Sequence, residues 1–461
     1  MKPRLVIVGA GLGGCFLADA LAEDWDITIV ELGIGSAQMQ KRINDIGLPV
    51  VTDPYIGSEL GGTTAIWHNG LIEIEDDVFD KKWPFNKSEL SKYYKKAFQM
   101  LSGVSYGQVN EASQNLKEQL IDCGIPEHLL GQTLFYPRER LNAWHSLKLE
   151  NRVKLVIGEV KNFSVDSNSV IRKLLVKNGD EEIEVSGDFF VLSAGGLGTP
   201  ILLQKLAEQL NIPCLMQAGM NYEDHPLGFV ADFELKAPIY KLWNLKVPKV
   251  SINMRLPLVV KEKGMLISFQ LRPAVHFTPR KRVYSVLNSL RNKPFSLNSY
   301  LNLFKNLDDV LDILSFKFGI HFPSYQYTLF MVAEQPPSAV PIIWRDKENH
   351  LVYRNWELTP DYLDTLQTAT QKILKEIIGV KNVNLFSDLR NNLGSSAHFS
   401  GTARMSESSS HGVCDKNGRV HDTKNLYVCD GSLIPSSGYA NTGLTIAALA
   451  LRMADYLQNN R

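Results

Sequence analysis

The hydrophobic pattern at the start of the chain predicts a strand, a helix and a second strand. A short apolar run at residues 4–8 is followed by glycines, residues 15–23 have helical spacing of apolar positions, and a second apolar run occupies 26–31. Uninterrupted apolar strands are typical of parallel sheets that are covered on both faces. These segments therefore predict a βαβ unit.

Farther along, helix and strand patterns come in blocks. An Asn178-Gly179 pair predicts a hairpin between strands at 170–176 and 181–185. Amphipathic helices are predicted at 87–103, 113–123, 361–378 and 443–458. On the last of these, one helical face carries the apolar residues Leu444, Ala447, Ala448, Leu451 and Ala454.

A second block of strand-like runs is interrupted by a basic insertion. The runs lie at 229–235, 265–271, 325–332 and 351–356, and the insertion at 278–318 has a helical pattern with apolar residues on one side. We expect this insertion to be an amphipathic helix packed on the protein, a lid over a site, or a surface that docks on a membrane or a partner.

Composition and charge narrow the class of protein. The 461 residues include 49 basic and 49 acidic side chains, so the formal net charge is zero, which predicts no nucleic acid partner. A hydrophobic fraction of 44% and a charged fraction of 21% are ordinary for a globular protein. The length predicts two or three domains, and the sequence contains no apolar run of ~18 residues that could cross a membrane.

The cysteines and the N-terminal residues of the sequence indicate the cellular compartment in which the protein is expected. Five scattered cysteines form no CxxC pair, which argues against a disulfide framework, a zinc ribbon or a c-type haem site and favours a reducing compartment. The apolar run near the N-terminus is only four residues long and leads into glycines, as a first strand would. We therefore expect structure rather than a signal peptide, and a cytoplasmic protein.

The glycines after the first strand match a dinucleotide-binding fingerprint. They read Gly9-Ala10-Gly11-Leu12-Gly13-Gly14, and Glu31 ends the next strand 22 residues after Gly9. Gly9 permits the tight turn, Gly11 lets the backbone approach a pyrophosphate, and Gly14 allows close packing of helix on strand. Glu31 would accept hydrogen bonds from a ribose diol. The motif fits NAD and FAD equally, because both place an ADP half here.

Four further segments follow in a fixed order: 61–70 (GGTTAIWHNG), 189–203 (FFVLSAGGLGTPILL), 219–226 (GMNYEDHP), and 398–405 (HFSGTARM) leading into 428–455. With the N-terminal fingerprint they resemble the glucose-methanol-choline (GMC) oxidoreductase family. The resemblance is dense in these segments and nearly absent at 76–150 and 227–390.

The resemblance implies a combined α/β and α+β fold. An FAD-binding, Rossmann-like domain would be assembled discontinuously from 1–75, 151–226 and 395–461. A substrate-binding domain, built on an antiparallel sheet flanked by helices, would comprise 76–150 and 227–394.

The resemblance also implies residues that hold FAD. Small and hydroxyl residues at Gly62, Thr63 and Thr64 match the segment that runs along the flavin and its pyrophosphate. Ile66 matches the position where some members carry a histidine linked to FAD, and isoleucine cannot form that bond, so we expect noncovalent FAD. Trp67 resembles an aromatic residue of members that act on sugars and polyols, although a tryptophan here is equally compatible with the core.

Other matched positions surround the adenosine, ribityl and phosphate groups. They are Val160, Ala194, Gly195, Asp430, Gly431 and Thr442. Thr442 stands where the family often has proline. The final helix begins just after Asn441, so its N-terminal partial positive charge could stabilise a reduced flavin.

Two residues match the family's catalytic pair. Alcohol oxidation requires a neutral base beside the hydroxyl group, and histidine suits this because its ordinary pKa of ~6.5 lies near physiological pH. His398, in His-x-x-Gly-Thr, matches the catalytic histidine, and Asn441 matches the residue that holds the substrate oxygen. His225, in the Asp-His-Pro signature, is expected to be structural, and His68 is the next candidate base.

The predicted activity is FAD-dependent oxidation of the CH-OH group of a small alcohol, a sugar-like compound or a polyol, with hydride transfer to flavin N5. The electron acceptor would be oxygen, a quinone or a protein, and no metal is expected. Alternatives are a hydroxynitrile-lyase-like flavoprotein, oxidation of a more apolar, membrane-derived alcohol, a nicotinamide enzyme, or a fold retained for binding alone.

Overall fold

A computed structural model of the chain describes residues 2–50, 55–166, 169–235, 245–273, 297–305, 326–336, 338, 342–346 and 351–460. Within these residues the β-strands are, in chain order, β1 Arg4–Val8, β2 Asp26–Glu31, β3 Ile43–Gly47, β4 Leu134–Pro137, β5 Lys154–Ile157, β6 Glu159–Val165, β7 Ile171–Asn178, β8 Glu181–Ser186, β9 Phe189–Leu192, β10 Pro226–Leu235, β11 Leu245–Lys246, β12 Ile252–Arg255, β13 Leu258–Glu262, β14 Met265–Pro273, β15 Gln326–Ala333, β16 Ile343–Arg345, β17 Val352–Trp356, β18 Val380–Leu385, β19 Leu393–Ser395 and β20 Leu426–Val428.

The α-helices of the same residues are α1 Leu12–Leu21, α2 Ser36–Gln40, α3 Asp76–Lys82, α4 Ser91–Ser102, α5 Tyr106–Asp122, α6 Ala143–Ser146, α7 Gly195–Ala207, α8 Leu297–Lys305, α9 Pro360–Glu376, α10 Leu389–Asn392 and α11 Gly443–Asn459. Short 3₁₀ turns include Gly62–Ala65 and Gly431–Leu433. Among the described residues, no helix has the length and apolar character needed to cross a membrane.

A five-stranded parallel sheet is assembled from distant parts of the chain. Its order is β20-β9-β1-β2-β5, so strands from both ends of the chain meet in one layer. The strand interiors are buried as the apolar runs predict, and α1 packs against α11 on one face. The carboxyl ends of these strands share one edge, where open α/β sheets bind ligands.

A larger antiparallel sheet lies in the second half of the chain. Its order is β13-β14-β15-β10-β18, with β19 also paired to β10. Along β14, Ile267, Phe269 and Leu271 are buried in the hydrophobic core, while Ser268 and Gln270 belong to the opposite face. Successive side chains of a strand point to opposite faces of its sheet, so the polar residues of β14 share one face and its apolar residues share the other.

Three small sheets complete the described structure. They are β11-β12-β4, β16-β17-β3 and the meander β6-β7-β8. The β7–β8 hairpin pairs Asn178 with Glu181, which confirms the turn predicted at Asn178-Gly179. The strand predicted at 351–356 is present as β17, and it pairs in parallel with β3 rather than joining the large antiparallel sheet.

The combined parallel-sheet and antiparallel-sheet architecture confirms the predicted fold class. Some boundaries differ. The first helix begins at Leu12, not 15, because the glycine turn leads directly into it. Between β5 and β6, Gly158 interrupts the strand, since it has φ +156° and donates its N–H to the carbonyl oxygen of Glu31. Of the insertion at 278–318, only α8 is described, with Leu297, Tyr300, Leu301 and Phe304 exposed, and the remainder lies outside the described residues.

Candidate active site

The turn between β1 and α1 is packed too tightly for a side chain. Gly9 has φ +106°, and a Cβ built on it would lie 2.3 Å from the carbonyl oxygen of Ser193, which directly follows the neighbouring strand β9. A Cβ on Gly14 would lie 2.4 Å from the carbonyl oxygen of Gly9. Both positions therefore require glycine. The turn brings the N-terminus of α1 to the carboxyl edge of the parallel sheet.

The N-terminus of α1 faces a second glycine-rich segment. Gly11 caps the helix without a side chain, and the first turn carries no acidic residue. A Cβ on Gly62 would lie 2.8 Å from the Cα of Gly11, so the two backbones are in near contact. Helix N-terminal N–H groups carry partial positive charge and bind phosphate groups. The bare backbone and the absence of a nearby acid in this turn fit a pyrophosphate.

Glu31 is fixed at the end of β2 by backbone amides. Its Oε2 accepts the N–H of Ala10 at 2.8 Å, and its Oε1 accepts the N–H of Gly33 at 3.2 Å. Burial raises the pKa of Glu31, and these amide donors oppose the shift. Each carboxylate oxygen keeps a further lone pair that can accept a hydroxyl group.

These elements enclose a cavity of about 300 Å³, here called the glycine-lined cleft. The sequence-predicted residues that line it are Gly9, Gly11, Glu31, Gly62, Thr63, Val160, Ala194, Gly195, Asp430, Gly431 and Thr442. Gly14 and Thr64 do not line it. Thr64 Oγ1 donates to the carbonyl oxygen of Gly61 at 2.6 Å and accepts the N–H of Ala143 at 2.9 Å.

Asp430 ties the end of β20 to the start of α7. Its Oδ2 accepts the N–H of Gly195 at 2.8 Å and the hydroxyl of Thr199, while Oδ1 accepts the N–H of Ser432 at 2.9 Å. Burial raises the pKa of Asp430, and these donors oppose the shift. Asp430 thus holds together two segments, 195–199 and 430–432, that lie far apart in sequence.

A second cavity of about 680 Å³, here called the histidine cavity, adjoins the cleft. The two share the lining residues Leu12, Tyr55, Thr63, Ala397, Thr442 and Ile446. Ile66, Trp67, His68, His398 and Asn441 line the histidine cavity. An elongated ligand can therefore extend from the cleft into this cavity.

Trp67 is held firmly in the wall of the histidine cavity. Its indole N–H donates to the carbonyl oxygen of Leu141 at 3.0 Å. A Cβ built on Gly443 would lie 2.6 Å from the indole ring, so the ring packs directly on the start of α11. Trp67 therefore serves packing as well as lining the cavity.

His398 is the centre of a chain of hydrogen bonds. Its Nε2 lies 3.1 Å from Nδ2 of Asn441, and its Nδ1 lies 3.0 Å from Nδ1 of His225. Nε2 of His225 lies 3.0 Å from Oγ of Ser437. Because an amide nitrogen only donates, Nε2 of His398 is the acceptor and Nδ1 carries the proton. That proton is donated to His225, whose own Nε2–H is donated to Ser437.

A single carboxylate positions both histidines. Oδ1 of Asp224 accepts the backbone N–H of His225 at 2.7 Å, the backbone N–H of His398 at 3.0 Å and the hydroxyl of Ser396 at 2.7 Å. Ala397, between Ser396 and His398, has φ +61°, a left-handed conformation that alanine rarely adopts. The Asp-His-Pro segment thus holds the backbone that carries His398 in a strained turn.

The environment keeps both histidines neutral. Burial lowers the pKa of His398, Asp224 opposes this, and His68 adds to it. Burial, with a smaller contribution from His398, holds the pKa of His225 well below its usual range. Since both pKa values lie below the ordinary histidine value, Nε2 of His398 has a lone pair available at neutral pH.

Sequence reasoning missed two groups of residues. It assigned His225 a structural part without its contact to His398, because only folding brings residues 225 and 398 together. It also gave no part to Arg255, Gln270 and Arg272, all of which line the histidine cavity. The signal was present in the polar residues that alternate along the strand predicted from 265.

A cluster of charged residues lies next to Ser437, in which Glu223 and Glu334 are buried and Lys82 is partly exposed. Nζ of Lys82 lies 2.6 Å from Oε1 of Glu334 and 3.3 Å from Oγ of Ser436. Glu223 is 2% exposed, and its Oε2 accepts the N–H of Ser437 at 3.4 Å. Burial raises the pKa of Glu223 to about 8, with Lys82 opposing and Glu334 adding to the shift. Within the described residues, no cluster of histidine, cysteine and acidic side chains could hold a metal ion.

Comparison with known proteins shows that the C-terminal part of the chain is similar to one protein family. Residues 347–450 match the family model described as GMC oxidoreductase. The chain is 34% identical over 98 residues to cholesterol oxidase of Acinetobacter baumannii (21% of this chain, 17% of that protein). It is 44% identical over 68 residues to 5-(hydroxymethyl)furfural oxidase of Methylovorus sp. (14% of this chain, 13% of that protein). The matched segments thus span less than a fifth of each relative.

Solved structures match over the whole chain at low identity. Pyridoxine 4-oxidase from Mesorbium loti aligns with a TM-score of 0.62 and 16% identity, covering 100% of both chains. A variant of Aspergillus oryzae RIB40 formate oxidase aligns with a TM-score of 0.58 and 16% identity, covering 100% of this chain and 98% of that one. At such identity the likeness concerns the fold alone.

Proposed function

We propose that this chain, whose residues 347–450 match the GMC oxidoreductase family model, is an FAD-dependent enzyme that oxidises the CH-OH group of a small alcohol, a sugar-like compound or a polyol. One observation carries the proposal. Nε2 of His398 and the amide of Asn441, 3.1 Å apart, line a cavity that adjoins the glycine-lined cleft.

The residues of the cleft suit FAD. Gly11 and Gly62 would hold the pyrophosphate with backbone groups, and Glu31 would accept the ribose hydroxyls. When bound, FAD supplies the acceptor for the hydride. Ile66 lines the histidine cavity and has no nucleophilic atom, which supports noncovalent binding.

His398 would act as the base. Its neutral Nε2 accepts the proton of the substrate hydroxyl, while its Nδ1–H stays bonded to His225 and stabilises the imidazolium that forms. Asn441 is too weak a base for this step. Its amide would hold the substrate oxygen beside Nε2, so that the hydroxyl takes the place of the bond that now joins the two side chains.

The N-terminus of α11 would contribute electrostatically. Thr442 and Gly443, at its start, line the histidine cavity, and the first turn of the helix carries no acidic residue. The partial positive charge of a helix N-terminus stabilises negative charge that develops beside it. We also retain the division into an FAD-binding unit (1–75, 151–226, 395–461) and a substrate-binding unit (76–150, 227–394) as part of this proposal.

Anaerobic reduction of the flavin tests the proposal. The purified holoenzyme would be mixed with sugars, polyols, aliphatic alcohols and sterols, and bleaching of the flavin absorbance would be followed. Reoxidation by oxygen or a quinone then identifies the acceptor. Oxidation of an apolar alcohol remains the second candidate, because one matched relative is a cholesterol oxidase. A flavin that no alcohol bleaches, together with cleavage of a hydroxynitrile, would favour a lyase instead.

A further inference from the structure

A tyrosine in the wall of the histidine cavity is held by backbone hydrogen bonds on both sides. Tyr136 belongs to β4, which pairs with β12 along one edge. Along the other edge, Leu71 exchanges two backbone hydrogen bonds with Phe135, at 2.8 and 2.9 Å. Nδ2 of Asn69 donates to the carbonyl oxygen of Pro137 at 3.0 Å. The position of Tyr136 is therefore fixed by the fold, as precise binding of a substrate requires.

The side chain of Tyr136 lines the cavity with a hydroxyl group that can bind a ligand. Leu134 and Tyr136 both line the cavity, whereas Phe135 between them is buried in the core. The guanidinium carbon of Arg255 lies 4.2 Å from the ring centre of Tyr136 and covers one face of the ring. Within the described ranges, the hydroxyl of Tyr136 has no hydrogen-bond partner. A tyrosine hydroxyl enclosed by protein usually has one, so this group points to a ligand.

Tyr136 stands next to the candidate catalytic pair. A Cβ built on Gly70 would lie 3.1 Å from Cε1 of Tyr136 and 3.2 Å from Nδ2 of Asn441, so these two atoms are no more than about 6.3 Å apart. Cε1 neighbours the ring carbon that carries the hydroxyl, and Nδ2 of Asn441 lies 3.1 Å from Nε2 of His398. When the alcohol group of a substrate lies between His398 and Asn441, its next few carbons are therefore within reach of the hydroxyl of Tyr136.

A second donor without a partner lies on the large antiparallel sheet. Gln270 is on β14, lines the same cavity and is 6% exposed. Its Oε1 accepts a hydrogen bond from Nη2 of Arg272 at 3.1 Å, which orients the amide. Its Nε2 has no partner in the part of the chain that the structure describes. By contrast, Ser268 on the same strand already donates to the carbonyl oxygen of Val332 at 2.9 Å.

These two donors distinguish between classes of alcohol. An ether, hydroxyl or carbonyl oxygen on the substrate can accept a hydrogen bond from either group. A hydrocarbon chain would displace water from both groups and give no hydrogen bond in return, which is unfavourable. A site built to bind a polar group therefore selects against an analogue that lacks it.

We propose that Tyr136 positions the substrate by donating a hydrogen bond to a second oxygen, which lies one to three carbons from the carbon that is oxidised. Gln270 donates to a further oxygen of longer substrates. The inference rests on the proposed function, because it narrows the substrate of the same site to alcohols that carry additional oxygens.

Alcohols that differ by one atom test the part played by Tyr136. The holoenzyme would be reduced anaerobically, and second-order rate constants of flavin reduction would be measured. 2-Methoxyethanol differs from butan-1-ol only in an ether oxygen that replaces a CH2 group, as 3-methoxypropan-1-ol differs from pentan-1-ol. We expect the ether of at least one pair to react about 10-fold faster. Tyr136→Phe removes only the hydroxyl, so it should abolish this preference by slowing the ether while changing the rate constant of the alkanol by less than about 3-fold.

A third pair of alcohols tests Gln270. Di(ethylene glycol) monomethyl ether and 2-butoxyethanol have the same length and share the first ether oxygen, and only the former has a second. This second oxygen should raise the rate constant in the wild type and in Tyr136→Phe but not in Gln270→Leu. Equal rate constants for the two compounds in the wild type would overturn the assignment of Gln270.

Control measurements separate this inference from the proposed function. Tyr93→Phe removes a tyrosine hydroxyl that donates to Asp455 at 2.8 Å on the protein surface, and it should change no rate constant. The same ratio of ether to alkanol rate constants in the wild type and in Tyr136→Phe would overturn the inference and leave the proposed function intact. Perturbation of the flavin absorbance reports binding of the ethers independently of their reaction. Failure of the proposed function would instead leave the flavin oxidised by every alcohol, while the ethers still perturbed the absorbance of the wild type more than that of Tyr136→Phe.

Discussion

Nδ1 of His225 lies 3.0 Å from Nδ1 of His398, so two imidazole rings share one proton between them. His398 reaches the histidine cavity, whereas His225 is 1% exposed and faces Ser437 with its other nitrogen. The contact with His225 keeps the proton of His398 on Nδ1, the nitrogen that faces away from Asn441. The Asp-His-Pro segment therefore has a part in positioning the candidate base.

Removal of the base should stop substrate oxidation without loss of the cofactor. His398→Ala should slow flavin reduction by about 10² to 10⁴, the usual contribution of a positioned base. Asn441→Ala should slow it less, since it removes orientation and leaves the base. Stopped-flow absorbance of the flavin measures both rates. If the His398 variant reduced at the wild-type rate, the base would be another group, and His68 would be tested next.

Removal of His225 should weaken the base rather than abolish the reaction. A hydrogen bond to the protonated form of a histidine raises its pKa. His225→Leu should therefore lower the apparent pKa of His398 and slow flavin reduction by about 10- to 100-fold. His225→Asn keeps an acceptor near the position of Nδ1 and should restore most of the rate. A rate that falls equally in both variants, with an unchanged pH profile, would reduce His225 to a packing residue.

The pH dependence of reduction follows from the direction of the pKa shift. Burial lowers the pKa of His398 from its ordinary value of 6.5, so the base is already neutral at pH 7. The reduction rate should be constant near neutrality and fall only on the acid side of 6.5, as protonation of His398 removes the lone pair. Rapid-mixing measurements across the pH range test this. An acid limb centred above 6.5 would contradict the assignment.

Glu223 makes stability depend on pH in a way that one substitution should reveal. Its pKa is raised from 4.5 to about 8, so the folded state binds this proton more tightly than the unfolded state. Its contribution to stability is complete below 4.5 and is lost as the pH rises toward 8, at about 1.4 kcal/mol per pH unit. Glu223→Gln should flatten the decline of Tm over this range. The exposed variant Glu182→Gln is the control, and a parallel decline in both variants would refute the prediction.

The cofactor should be released by acid. Ile66 cannot form the covalent link, so precipitation of the protein should leave all flavin absorbance in the supernatant. Liquid chromatography of the supernatant should identify FAD at about one per chain, as the one dinucleotide cleft among the described residues implies. Yellow colour in the washed pellet would show a covalent link through another residue.

Local patterns predicted the parts of the fold that depend on neighbouring residues. The βαβ unit, the Asn178-Gly179 hairpin and the helices from 360 and 443 follow from periodicity and turn chemistry. The pairing of β17 with β3 did not, because partner choice between distant strands leaves no mark in either segment alone. The same limit applies to the site. His398 and Asn441 were predicted from motifs, whereas the contact of His225 and the position of Arg255 became visible only when distant segments were folded together.

The order β20-β9-β1-β2-β5 has a consequence for biosynthesis. Residues 4–8 and 26–31 leave the ribosome well before β20 and α11, which complete the sheet and cover α1 and come from 426–428 and 443–459. Gln458 joins the two regions directly, accepting from Nε1 of Trp25 at 2.7 Å and donating to Oδ2 of Asp24 at 2.6 Å. A nascent chain that lacks these residues contains the glycine turn but not Asp430, Gly431 and Thr442, which also line the glycine-lined cleft. We therefore expect the cofactor to be bound only after residues 426–459 have been synthesised, because these residues complete the sheet and cover α1.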